Sequence, residues 1–121
     1  MSNLVAFTFS AQAQGDADGV HTLFAMRGLT IVGVSLCAEA FTGTPTAFDV
    51  DIQDDGADII TAVTASTAGT AGTWKSTHFG GTNAPIEVAA GSEIEVDINL
   101  IGGSNPTADY DVTIWTLVGE M

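Results

Sequence analysis

Phe48, Val50 and Ile52 alternate with Asp49, Asp51 and Gln53, and Asp55-Gly56 follows before a second apolar run at Ile59-Ile60. A period of two belongs to a β-strand with one dry face and one wet, here acidic, face. Asp and Gly tolerate the positive φ of a two-residue turn, so an Asp-Gly pair between apolar runs predicts a tight hairpin. That hairpin fixes its own register and commits the domain to antiparallel β-structure.

The rest of the chain follows the same pattern. Strands are expected over residues 4–10, 20–26, 29–38, 86–88, 93–101 and 110–118, with a short strand or irregular piece at 74–79. The run 29–38 is apolar on both faces, which marks a central strand. Residues 93–101 alternate most cleanly of all. Small and polar residues predict a loop or arm over 11–19 and loops over 39–45, 80–85 and 102–108, and Thr, Ala and Gly enrich 61–73. With no helical period, the expectation is an all-β fold, a single antiparallel β-sandwich of about eight strands, jelly-roll-like. It forms one domain at 121 residues, with an N-terminal strand or arm and loop over 1–19 and the sandwich over 20–121.

Charge narrows the partners. Fifteen Asp and Glu face only Arg27 and Lys75, a net charge of −13. Without a basic patch, nucleic acid and anionic membranes are excluded as partners. An acidic surface suits either a basic protein partner or a saline habitat, where salt screens self-repulsion. Cys37 is the sole cysteine, so no intrachain disulfide forms, and its place on an apolar strand predicts a buried, inert thiol. The first residues lack the basic start and apolar core of a signal peptide.

Catalytic patterns are missing. There is no Gly-x-Ser-x-Gly elbow and no phosphate loop. His21 and His78 lack Cys companions at ligand spacing, which argues against zinc. Carboxylates are plentiful, but the aromatics that line a sugar cleft are few, so no enzyme is expected. Asp49, Asp51 and Asp55 are candidate Ca²⁺ ligands, because hard cations take several oxygens. From Asp51 the spacing partly resembles the start of an EF-hand loop, but Ala62 stands where the bidentate Glu belongs. A solvated hairpin that keeps its edge from pairing is the plainer expectation. A second acidic row, Glu93, Glu95 and Asp97, meets either solvent or a basic partner. It would lie beside Asp49 and Asp51 if the two strands are neighbours.

Ala90-Gly91-Ser92-Glu93-Ile94-Glu95-Val96-Asp97-Ile98, followed by Gly103-Ser104-Asn105-Pro106-Thr107-Ala108-Asp109 and a terminal strand, resembles the small jelly-roll virion proteins of tailed bacteriophages. The likeness runs from about Val20 to Val118. It implies a capsid decoration or cement protein: a homotrimer bound to the major capsid protein on the virion exterior, made in the host cytoplasm, without catalysis or cofactor. Interface candidates are Trp115 and Leu117, which share one face of the last strand while Val112 and Ile114 share the other. That strand is either central in a sheet or packed on a neighbouring subunit. The alternative the resemblance allows is a receptor- or glycan-binding module of a tail fibre or baseplate. There Trp74 and Phe79, near Lys75 and His78, would stack on a host-surface sugar or anchor a partner.

Overall fold

The computed structural model describes residues 2–14, 17–65, 75–77 and 85–119. These residues form nine strands and no helix: β1 (Ser2–Ala13), β2 (Ala17–Phe24), β3 (Leu29–Thr42), β4 (Ala47–Asp54), β5 (Ala57–Ala65), β6 (Lys75–Thr77), β7 (Ile86–Val88), β8 (Glu93–Ile101) and β9 (Thr107–Gly119). Two antiparallel sheets make a jelly-roll-like sandwich. One has the order β1-β9-β3, with β6 and β7 both pairing β3, and the other has the order β2-β8-β4-β5.

The Asp-Gly signal does what its chemistry allows. Asp55 and Gly56 take φ of 50° and 86°, and β4 and β5 pair on either side of them. The turn is also pinned from outside, because Glu93 N donates to Asp55 Oδ1 at 2.9 Å and Asp55 N donates to Glu93 O at 2.9 Å. Phe48, Val50 and Ile52 are fully buried, as the alternation requires. Ile94, Val96 and Ile98 of β8 meet them from the neighbouring strand, and Ile31, Leu36, Val112 and Ile114 cover them from the opposite sheet. Each fully buried side chain of this size contributes about 1.5–3 kcal/mol relative to exposure.

Two loops close one end of the sandwich backbone to backbone. Ser104 N donates to Gly43 O at 2.9 Å, and Thr46 N donates to Ile101 O at 2.8 Å. Gly43 and Gly103 both have positive φ, and a Cβ on Gly103 would run into the carbonyl oxygens of Gly43 and Thr44. Only glycine fits that approach.

Several expectations need correction. The first strand runs on to Ala13, and β2 begins at Ala17, so most of the expected 11–19 loop is strand and the boundary at 19/20 falls inside β2. Residues 2–13 are therefore integral to the five-stranded sheet and are not a free arm. The expected loop at 39–45 begins only after Thr42, with Ala40 at φ 53° in an irregular stretch of β3. Composition misled in both places, since the partner strand alongside outweighs the weak strand preference of small and polar residues. The nine strands agree with the expected sandwich of about eight. The last strand is central, flanked by β1 and β3.

Candidate interaction surfaces

The outer face of the four-stranded sheet is acidic. β4 and β8 are neighbours, so Asp51 faces Asp97, Gln53 faces Glu95 and Asp49 faces Asn99. Two amides temper the repulsion. Asn99 Nδ2 donates to Asp51 Oδ2 at 3.1 Å, and Gln53 Nε2 donates to Asp58 Oδ1 at 2.9 Å. Two residues along β8, Glu95 is held above the ordinary carboxylate range, first by a hydrogen bond with Glu93, then by desolvation, then by the charge of Glu93. Asp97 is only 7% exposed, although the row Glu93, Glu95 and Asp97 was expected to meet either solvent or a basic partner. It lies opposite the stretch where β2 shifts register between Ala17 and His21, and neighbours crowd it there.

The three Ca²⁺ candidates do not converge. Asp49 and Asp51 share the outer face of β4, while Asp55 sits in the turn and accepts the Glu93 amide. Among the described residues no three His, Cys, Asp or Glu side chains gather around one point. Asp54 follows the parity of the dry residues Phe48, Val50 and Ile52, and its Oδ1 is buried without a hydrogen-bond partner among the described residues.

The outer face of the five-stranded sheet is nearly uncharged at one end. Leu4 lies directly opposite Leu117, at 61% and 37% exposure. Beside them Trp115 is half-buried, and its Nε1 donates to Ser35 Oγ at 3.1 Å. Thus Trp115 and Leu117 do share an outward face. An open depression of about 550 Å³ adjoins Leu117, Thr30 and Glu87. Toward the other end the face turns polar, with Thr8 bonded to Thr113 at 2.9 Å and Ser10 to Asp111. Cys37 lies on this face, half-buried and opposite Asp111, where a fully buried thiol was expected.

Between the sheets, His21 joins β2 to β9. Its Nε2 lies 2.6 Å from the Tyr110 hydroxyl, and Phe9 stacks on its ring at 4.8 Å. Burial pushes His21 below its usual range and Tyr110 above its own. A histidine hydrogen-bonded within an aromatic cluster reads as structural cross-bracing. Trp74, Phe79 and His78, on which the sugar-stacking expectation rests, lie outside the described residues.

Two surface features escaped the sequence reading. One is exposed Leu4. The other is the absence of any charged residue from 1 to 15, a signal that could have been read from the chain directly.

No family model matches the chain, and no curated protein matches its sequence. Solved structures do share its fold. A chain of the capsid asymmetric unit of cyanophage Pam1 superposes with a TM-score of 0.64 at 16% identity, over 98% of this chain and 86% of that one. A chain of the capsid of Ralstonia phage GP4 gives 0.57 at 17% identity, over 100% and 86%. A chain of infectious bursal disease virus, Gx strain, gives 0.54 at 20% identity, over 98% of this chain but 32% of that one.

Proposed function

We propose that this chain is a non-enzymatic structural protein of a phage virion, docked on the outer surface of the capsid against the major capsid protein and stabilising the shell. The observation that carries this reading is the end-to-end likeness to chains of two phage capsids, 98% against 86% and 100% against 86% of the paired lengths. The acidic outer sheet supports it further, because a face bearing Asp49, Asp51, Glu93 and Glu95 is suited to a basic patch on a shell. Repetition then supplies strength. Copies held near one another on a lattice bind through high effective concentration, so each contact stays modest. On the capsid, as distinct from the free protein, the family resemblance implies three copies per assembly. Trp115, Leu117 and Leu4 offer an apolar patch for contact with a neighbour.

The test is reconstitution. Purified protein is mixed with heads that lack it and sedimented. Saturable co-sedimentation, with heads that resist heating better than bare ones, is the expected result. Protein left in the supernatant at high concentration rejects the docking role.

A further inference from the structure

We propose that the open edge of β1 pairs antiparallel with the same edge of a second copy, joining two five-stranded sheets into one continuous sheet. β1 pairs β9 residue for residue from Ser2 to Ala13 without a register shift, and among the described residues nothing pairs its other side. Half of the backbone N–H and C=O groups of a 12-residue strand therefore point away from the sheet. Proteins ordinarily guard such an edge with a charge, a proline or a bulge. This edge has none of the three.

Burial points the same way. Val5, Phe7 and Phe9 line the inner face of β1 and are only partly buried, although Val112 and Ile114 beside them on β9 are fully buried. A further strand alongside β1 would cover this strip. The occupant that fits is β1 itself. In the register that places Phe7 opposite Phe7, Val5 meets Phe9, so the apolar strip continues across the joint. Ala6 then meets Thr8 and Leu4 meets Ser10 on the outer face. The pairing is isologous, as closed dimers require.

Charge favours this edge over the others. A copy carrying −13 approaches its twin at least cost where charge is absent. The other edge strands β2, β5, β6 and β7 carry Asp18, Asp58, Lys75 and Glu87, each of which would meet its own sign across a two-fold joint, whereas β1 carries no charge. On the joined sheet the first acid from the axis is Asp111, beside Ser10. Three residues from the axis on each side put the two Asp111 side chains on the order of 20 Å apart, beyond the screening length in physiological salt.

The inference stands without the virion reading, since it concerns the free protein. Its test is the mass of the whole chain by sedimentation equilibrium in physiological salt, with Ala6→Lys/Thr8→Lys as the variant. Both positions face outward, and opposed lysines at the joint block pairing. Expected are two chains for the parent, and one folded chain for the variant. If the variant misfolds, Phe7→Cys in a Cys37→Ser background decides, and mild oxidation should then yield a covalent dimer. A monomeric parent, a mass of three chains, a variant that remains a folded dimer, or no covalent dimer would overturn the proposal. So would a monomeric parent whose lysine variant loses head binding, because the edge would then hold a capsid strand.

Discussion

Asp51 stands directly across the β4–β8 ladder from Asp97, and Asn99 donates a hydrogen bond to the Asp51 carboxylate. Like charges opposed on a sheet are destabilising, by a few tenths to about 1 kcal/mol. Asp51→Asn keeps the shape and an acceptor for Asn99 while removing the charge. The variant is expected to unfold at higher denaturant than the parent in low salt, by roughly that amount. In 1 M salt the difference shrinks, because the screening length falls to about 3 Å. Equal stability in low salt would mean that Asn99 and the neighbours of Asp97 already offset the repulsion.

His21 sets a pH dependence. Burial holds its folded pKa below the ordinary 6.5 of a histidine, so on acidification the unfolded chain takes up a proton first. Stability from this group is present above pH 6.5 and is lost as pH falls from there through the lower folded value. Glu95, raised above 4.5, works the opposite way within its own window, favouring the fold as pH falls toward 4.5. Denaturant melts of the parent and His21→Gln between pH 7 and 5 separate the two. The parent should lose more stability over that range than the variant. Parallel curves would show that His21 does not titrate with unfolding.

Two glycines of positive φ respond differently to alanine. Gly56 has open space where a Cβ would go, so Gly56→Ala carries only backbone strain, about 1–2 kcal/mol. At Gly103 the new Cβ would collide with the backbone of Gly43 and Thr44, so Gly103→Ala should cost distinctly more. Urea titration of both variants checks the order. Equal losses would mean that the loop at Gly43 yields easily.

The acidic face is testable as a docking surface. Glu93→Gln, Glu95→Gln and Asp97→Asn together remove three charges from β8. Head binding should weaken at least tenfold and lose much of its salt dependence. Binding that is unchanged by the triple substitution would move the docking surface elsewhere, with the Leu4–Leu117 patch next to be tested.

How far the sequence carried the fold can be seen at particular residues. Phe48, Val50, Ile52 and the Asp55-Gly56 turn were legible because period and turn chemistry are local. β8 was legible for the same reason, and its place beside β4 turned a conditional clash of acids into Asp51 facing Asp97. Residues 11–13 and 39–42 were not legible. Their pairing depends on β9, nearly seventy residues or more away in the chain, and small polar residues give no local sign of it. Likewise, Asp54 could have been placed inward by counting parity from Phe48. The bond between His21 and Tyr110 joins two sheets and leaves no trace in spacing. The surfaces were read as residue types, but their neighbours, such as Leu4 opposite Leu117, came only with the register.

Immunogold labelling of intact virions tests the proposed position on the outside of a capsid most directly. Dense label distributed over the head is predicted. Label confined to the tail, or no label on intact particles, would contradict it.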